Sequence, residues 1–183
     1  MSTRMGRNKA LLPYRGKRLI DHVAQALIEL VGAEHFYVSG DLPGFRSVQD
    51  VHRGLGPIGG ISSIVHQFRD RWILFLPVDM GSMNSETLNL LFEARDAHLG
   101  DQAFHFQGYE LPLLLYSGDI VREQIAKLLD PRIHRSKRCI KELERALSCN
   151  EVRIKPQSEL RFQNLNTPQE WQTFKKEAEI SEL

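Results

Sequence analysis

The most apolar run in the chain extends from Trp72 to Val78 and reads WILFLPV. It does not alternate between apolar and polar residues. A continuous apolar run of this length is typical of a strand that is covered on both faces of a parallel sheet. Such a sheet needs helices to cover it, so the run predicts an α/β domain. Asp79 directly follows the run, at the carboxyl end of the predicted strand.

Apolar residues recur at intervals of three and four along residues 17–31, which predicts an amphipathic helix that ends at Gly32. Pro57 and Pro168 are suited to the first turn of a helix, and Ser82 or Asn84 could cap another. The expected further helices are 57–68, 82–98, 118–129, 136–147 and 168–178. The expected further strands are 35–39, 46–49, 103–106, 111–116 and 151–155, with a turn at 162–167.

Strands that alternate with helices predict a three-layer fold, in which a mostly parallel sheet has helices on both faces. The chain contains no internal repeat and no low-complexity linker, so residues 1–183 are expected to form one domain. Cys139 and Cys149 lie ten residues apart without a CxxC pair, which favours free thiols over a zinc site.

The charge balance excludes a strong overall field, since 24 basic residues face 23 acidic ones. Neither nucleic acid nor an anionic membrane is therefore expected as a partner. No apolar run approaches the roughly 20 residues that span a bilayer, and the first residues do not resemble a secretion signal. We expect a cytoplasmic protein.

Small, polar and basic residues dominate the amino-terminal segment, a composition that suits a phosphate-binding loop because hydroxyls, a permissive glycine and cations all favour an anion. These residues are Ser2, Thr3, Arg4, Gly6, Arg7, Asn8 and Lys9. Lys9 stands just before an apolar segment, which could anchor its ammonium group near a strand end. The alternative is that Lys9 is an ordinary solvated surface charge.

Three polar residues follow predicted strands, namely Ser39, Asp50 and Asp79. Ligands of open parallel sheets bind beyond the carboxyl ends of the strands, so these side chains are candidates for a common site. A carboxylate at the end of a buried strand needs a positive partner, and Mg²⁺ that carries triphosphate oxygens would supply one. The alternative is that Asp79 only caps the following loop or helix.

A basic stretch at 132–138, with Lys141 after it, is interpreted as a solvated start of a helix, and a second anion site is its alternative. The glycine-rich segment 54–60 is weak evidence by itself, because glycine clusters also mark plain turns.

Four segments taken together resemble a known family, the molybdenum cofactor guanylyltransferases, which have a Rossmann-like nucleotidyltransferase fold. The segments read RMGRNKALLPYRGKRLI, DVHRGLGPIGGISSI, FLPVDM and FQNLNTPQEW. The RMGxxK pattern is shared with cytidylyltransferases and sugar-nucleotidylyltransferases, whereas NLNTPQE favours the molybdenum cofactor branch. The match is weak only around residues 100–150.

The resemblance implies roles for residues that would act on the triphosphate. Arg4, Gly6 and Lys9 would hold it, and Asp79 would bind Mg²⁺. Arg4, Lys9 and Asp79 would then be the catalytic residues, acting by charge neutralisation and alignment.

The resemblance also implies contacts to the two substrates. Asp50 and Ser39 would contribute to the nucleotide pocket, although the family commonly has asparagine at the position of Ser39. Asn164 and Asn166 would help to place the pterin.

The implied reaction is transfer of GMP from GTP to molybdopterin that carries molybdenum, with release of pyrophosphate. Enzymes that deliver molybdopterin or accept the product are possible partners. The alternatives are a CTP-dependent molybdopterin cytidylyltransferase and a non-catalytic module that binds a nucleotide or cofactor.

The resemblance further implies a first strand and a leading glycine-rich loop, LAGG in many members, that should precede Ser2. Neither stands in this sequence. About five buried apolar side chains contribute on the order of 10 kcal/mol, comparable to the net stability of a domain. We therefore expect the native protein to start upstream of Met1; the alternative is a decayed or repurposed relative.

Overall fold

The computed structural model describes residues 8–52, 54–154 and 156–162. The α-helices of this part of the chain are Leu19–Val31 (α1), Pro57–Gln67 (α2), Ser85–Ala97 (α3), Asp119–Leu129 (α4) and Ile140–Leu147 (α5). The strands are Pro13–Tyr14 (β1), Lys17–Arg18 (β2), Val38–Ser39 (β3), Ser47–Val48 (β4), Trp72–Phe75 (β5), Ala103–Phe106 (β6), Leu113–Tyr116 (β7) and Asn150–Val152 (β8). Short 3₁₀ helices are Lys9–Leu11, Ala33–His35, Arg135–Lys137 and Pro156–Phe162.

The described residues divide into two compact units. The first unit contains residues 8–35, 76–88, 154 and 156–162. The second unit contains residues 36–52, 54–75 and 89–153.

The second unit is built on a four-stranded sheet with the order β5-β7-β6-β8. Strand β7 is antiparallel to both β5 and β6, and β8 is parallel to β6. Three of the four strands therefore run in the same direction. Strands β3 and β4 form a separate parallel pair. The prediction of an α/β fold with a mostly parallel sheet is confirmed.

Helices cover both faces of this four-stranded sheet. On one face, apolar side chains of α2, α4 and α5 pack against β6 and β7; the buried members are Ile58, Ile61, Val65, Ala103, Leu113, Leu115, Val121, Ile125, Ile140 and Leu143. On the other face, the Trp72 ring lies 5.8 Å from Phe104 and 5.4 Å from Tyr116, centroid to centroid. The guanidinium carbon of Arg95, on α3, lies 5.9 Å from the Trp72 ring centroid.

The first unit is organised around α1. The Arg18 amide donates to the Asp21 carboxylate at 3.0 Å, which caps the amino end of the helix. The helix ends at Val31 and is followed by Gly32, whose φ of 83° a residue with a side chain would rarely adopt. Tyr14 and Leu19 are both buried and pack with Val78 in a small core.

Several element bounds differ from the sequence-based expectation. Strand β5 ends at Phe75 and not at Val78, because Pro77 has no amide hydrogen to continue the ladder. Its four residues are half-buried, whereas β6 is buried throughout. The expected helix 136–147 begins only at Ile140, after the 3₁₀ turn Arg135–Lys137. The expected helix 168–178 and residues 163–167 lie outside the described residues.

Two further predictions concern thiols and membranes. Cys139 and Cys149 are both free, as predicted, and burial raises the pKa of the Cys149 thiol to about 12. Among the helices that the structure describes, none combines the length and the apolar character that crossing a bilayer requires.

Glu144 of α5 is a carboxyl group in an unfavourable environment. Its side chain is only 11% exposed, and Oε1 lies 3.6 Å from Nδ1 of His105, which donates instead to the Tyr109 carbonyl at 2.9 Å. Burial raises the pKa of Glu144, and the nearby Glu110 and Glu151 carboxylates act in the same direction. The ionised form of Glu144 therefore opposes folding.

We predict that Glu144→Gln raises the free energy of unfolding at pH 7.5 and has a smaller effect at pH 4. A carboxyl whose pKa rises on folding favours the folded state below its ordinary pKa of 4.5, and that contribution is lost as the pH rises through the folded-state value. Urea unfolding at both pH values measures the difference. Glu93→Gln, at an exposed position of α3, is the control. Equal effects of Glu144→Gln at both pH values would contradict the prediction.

Candidate functional site

Lys9 and Asp79 are brought together in the first unit, although they lie 70 positions apart in the sequence. The Lys9 ammonium donates to Oδ2 of Asp79 over 3.1 Å. The Lys9 side chain is 10% exposed and the Asp79 side chain 24%. Lys9 is therefore not a solvated surface charge, and the carboxylate beside it remains partly accessible.

The position of Lys9 is fixed by the short 3₁₀ helix in which it lies. The Asn8 side chain accepts from the Ala10 amide at 3.2 Å and caps this turn, and the Leu12 amide donates to the Lys9 carbonyl at 3.2 Å. The backbone of Lys9 is thus held on both sides, so its long side chain starts from a defined point.

The loop that carries Asp79 is held against the first helix. Val78 packs on Tyr14 and Leu19, and the Met80 amide donates to the Pro77 carbonyl in a turn. Gly81 lies so close to α1 that a Cβ atom would stand 2.5 Å from Cδ1 of Leu19. A side chain at residue 81 would force the buried Leu19 side chain to shift, so glycine lets the loop that carries Asp79 lie close to α1.

The alternative role of Asp79 as the cap of the next helix is taken by another residue. Asn84 Oδ1 accepts from the Thr87 amide at 3.1 Å, which places the cap of α3 at Asn84 and not at Ser82. Among the described residues, the Asp79 carboxylate accepts from the Lys9 ammonium.

Asp50 lies in the second unit, after β4, and its carboxylate is oriented by a backbone amide and lies near a serine hydroxyl. The His52 amide donates to Asp50 Oδ1 at 2.9 Å, and the Ser63 hydroxyl, on α2, lies 3.5 Å from the same oxygen. Ser63 also accepts from the Val51 amide at 3.0 Å. The segment after β4 is therefore attached to α2.

Ser39 ends β3 and lies against the first turns of the same helix. A Cβ atom at Gly60 would stand 2.9 Å from Ser39 Oγ, so the strand end and the helix are in close contact. Gly56 precedes the helix with a φ of 68°, and Pro57 is its first residue. The structure thus brings Ser39 and Asp50 to the amino-terminal half of α2.

Within the basic stretch 132–138, residues Arg135–Lys137 form a 3₁₀ turn, and α5 begins only at Ile140. Arg132 binds both carboxylate oxygens of Asp130 and lowers the pKa of that carboxyl to about 2. Arg138 donates to the carbonyls of Asp130, Pro131 and Ile133. Arg138 therefore holds this turn together.

Four predicted site residues lie outside the described residues: Arg4, Gly6, Asn164 and Asn166. Across residues 8–52, 54–154 and 156–162, no three His, Cys, Asp or Glu side chains are arranged to hold a metal ion by themselves.

Sequence reasoning did not identify Gly81 or Ser63, which support Asp79 and Asp50. Both act through contacts with distant parts of the chain, and a single sequence gives no direct signal for such contacts. The one available hint is the run of small residues GGISS in α2, since small side chains permit a close approach of backbone segments.

Comparison with known proteins gives consistent results for sequence and fold. The model of the MobA-like NTP transferase domain matches residues 1–148. A protein of Xanthomonas euvesicatoria pv. vesicatoria, named molybdenum cofactor guanylyltransferase, is 35% identical over 171 residues, which cover 93% of this chain and 87% of that protein.

Two solved structures share the fold. Molybdopterin-guanine dinucleotide biosynthesis protein A from Archaeoglobus fulgidus is similar with a TM-score of 0.69 at 18% identity, over 97% of this chain and 93% of that one. 2-C-methyl-D-erythritol 4-phosphate cytidylyltransferase from Thermus thermophilus is similar with a TM-score of 0.67 at 13% identity, over 93% and 94%.

We predict that Lys9→Met lowers the free energy of unfolding by about 1–3 kcal/mol, because it leaves a partly buried carboxylate without its ammonium. Lys127→Met is the matched control. Lys127 pairs with Glu123 at 2.8 Å on an exposed helix face, where both side chains are at least 60% exposed. Such surface pairs contribute less than about 1 kcal/mol. Urea unfolding of both variants measures the contrast, and equal losses would contradict the prediction.

Proposed function

Because the chain belongs to the MobA-like NTP transferase family, we propose that it transfers GMP from GTP to molybdopterin that carries molybdenum, with release of pyrophosphate. The structural observation that supports this proposal best is the 3.1 Å contact of Lys9 and Asp79. It places an ammonium group, which suits phosphate, beside a carboxylate, which suits a divalent cation.

In the proposed reaction, the terminal phosphate of molybdopterin attacks the α-phosphorus of GTP in line, and pyrophosphate leaves. A phosphate group is already an anion at neutral pH, so no side chain has to act as a general base. Lys9 and Arg4 neutralise the negative charge that accumulates on the transferred and leaving groups. Gly6 allows the backbone to approach the triphosphate closely.

Asp79 fits a divalent cation, and we propose Mg²⁺. This ion keeps several waters and is commonly held by one or two protein carboxylates together with substrate phosphates, so a cluster of three ligands is not required. The 24% exposure of the Asp79 side chain leaves it within reach of a cation. When bound, Mg²⁺ would polarise the phosphate oxygens and orient the leaving group.

The remaining contacts to substrate are assigned by the same proposal. Asp50 and Ser39 contribute to nucleotide binding, and Asn164 and Asn166 to placement of the pterin. The geometry supports the assignment of Asp50, because the neutral His52 amide orients its carboxylate, which can still accept hydrogen bonds from a ligand.

Pyrophosphate release from GTP and from CTP, measured with molybdate-loaded molybdopterin and Mg²⁺, tests the function. We predict release with GTP and little with CTP. Asp79→Asn should reduce turnover by about 100-fold or more, since it removes charge at the reacting phosphates. Preference for CTP would contradict guanylyl transfer, and absence of release with either nucleotide would contradict transferase activity.

The control for Asp79→Asn is Asp96→Asn, which removes a carboxylate that is 69% exposed and pairs with Arg95. It should leave turnover unchanged. Circular dichroism of both variants verifies that they are folded, so that a loss specific to Asp79→Asn reports on the reaction. Unchanged turnover of Asp79→Asn would refute its role.

We predict that Lys9→Met binds Mn²⁺ without nucleotide about 3- to 10-fold more tightly than the unaltered protein, because the Lys9 ammonium competes with a cation for Asp79. Electron paramagnetic resonance of free Mn²⁺ measures the binding, and Mn²⁺ serves as the probe because it shares the carboxylate preference of Mg²⁺. Asp79→Asn should abolish this binding. Weaker or equal Mn²⁺ binding by Lys9→Met would contradict the competition.

A further inference from the structure

Two adjacent serines of α2 have different surroundings. Ser62 is fully buried, and its hydroxyl finds no hydrogen-bond partner among the described residues. Ser63 is 7% exposed, and its hydroxyl contacts three groups. Both residues are buried serines of the same helix. A comparison of their alanine variants therefore isolates the effect of the hydrogen bonds that Ser63 makes.

The Ser63 hydroxyl connects the helix to the segment that begins with Asp50. It accepts from the Val51 amide at 3.0 Å, and it can donate its one proton to the Gly59 carbonyl at 3.1 Å or to Asp50 Oδ1 at 3.5 Å. The shorter distance makes Gly59 the main acceptor. The bond from Val51 therefore fixes the backbone directly after Asp50.

The same segment contacts the helix at a second point. A Cβ atom at Gly59 would stand 2.7 Å from the His52 carbonyl oxygen, so the backbone of residue 52 lies directly on the helix. The His52 amide in turn donates to Asp50 Oδ1 at 2.9 Å. Residues 50–52 are thus held between Ser63 and Gly59, and the direction of the Asp50 carboxylate follows from this attachment.

The bond of Ser63 to the Gly59 carbonyl does not explain the serine by itself. A serine hydroxyl that bonds the carbonyl four residues earlier adds little to helix stability and slightly opposes it. The contacts outside the helix, to Val51 and Asp50, are the ones that alanine could not replace.

We propose that Ser63 is a positioning residue for Asp50 and thereby sets the affinity for the nucleotide. This inference rests on the proposed function, in which Asp50 contacts GTP. Ser63 acts on binding and not on the chemical step, because it fixes a nucleotide contact and no group at the transferred phosphate. Loss of its hydroxyl should therefore raise KM for GTP and leave kcat at saturating GTP unchanged.

The experiment compares Ser63→Ala, Ser62→Ala, Asp50→Ala and the double variant Ser63→Ala/Asp50→Ala. Calorimetric titration with GTP and Mg²⁺ gives the affinity, and pyrophosphate release gives KM and kcat. Ser63→Ala should weaken GTP binding by about 3- to 10-fold. Ser62→Ala should bind GTP normally and be at least as stable, since it removes a buried hydroxyl without a partner.

The double variant tests whether Ser63 acts through Asp50. If it does, the double variant binds GTP as weakly as Asp50→Ala, and the two losses do not add. Additive losses would overturn the positioning role, as would normal GTP binding by Ser63→Ala. Ser63→Cys, in which the side chain is similar in size but a weaker acceptor, provides a second variant. Normal GTP binding by folded Ser63→Ala or by folded Ser63→Cys would overturn the positioning role.

The outcomes separate this inference from the proposed function. If Asp50→Ala weakens GTP binding and Ser63→Ala does not, the positioning role alone is wrong. If Asp50→Ala binds GTP normally, the assignment of Asp50 in the proposed function is wrong and the inference falls with it. If the unaltered protein does not bind GTP, the proposed function itself fails.

Discussion

The Lys9 side chain is only 10% exposed, so its ammonium group needs a negative partner, which Asp79 supplies. Much of the local structure of the first unit follows from this requirement. The capped 3₁₀ turn fixes the start of the lysine side chain, and the packing of Val78 and Gly81 against α1 fixes the carboxylate. Each partner would be costly to bury without the other, so the pair and its supports stabilise one another.

In the second unit, irregular segments next to β3 and β4 are held against helix α2 by neutral groups. Helix α2 does this with small residues. Gly59 and Gly60 leave room for the His52 carbonyl and the Ser39 hydroxyl, and Ser63 binds the Val51 amide. The run GGISS is unfavourable for a helix by propensity alone. Burial of Ile58, Ile61 and Val65 in the core of this unit offsets that cost.

The elements that sequence predicts best are those with local causes. The first helix ends at Val31 because Gly32 takes a positive φ, and α2 begins at Pro57 because proline suits a first turn. The resemblance implies that Lys9 and Asp79 both act at the triphosphate, and their direct contact is a finding of the structure.

The features that sequence missed have causes elsewhere in the chain. Strand β7 is antiparallel to its neighbours β5 and β6. The residue types of Leu113–Tyr116 are compatible with either strand direction, so the sequence does not predict it. The choice of Asn84 over Ser82 as a cap depends on where the helix starts in space. Gly81 matters only because Leu19 lies beside it. Each of these is a tertiary contact, and periodicity and propensity carry no information about it.

Asp79 and Asp50, the two carboxylates to which the proposed function gives roles, differ in what surrounds them, and this difference fits different tasks. Asp79 faces an ammonium group, so its charge is balanced by another charge, and either a cation or a phosphate can exchange with a member of the pair. Asp50 accepts from the His52 amide, which is neutral, and lies 3.5 Å from the Ser63 hydroxyl. Neutral donors orient a carboxylate without cancelling its charge, so it keeps its capacity to accept hydrogen bonds from a ligand. In the proposed reaction, the charged pair therefore suits the triphosphate and its metal, and the neutrally held carboxylate suits a hydrogen-bonding part of the nucleotide.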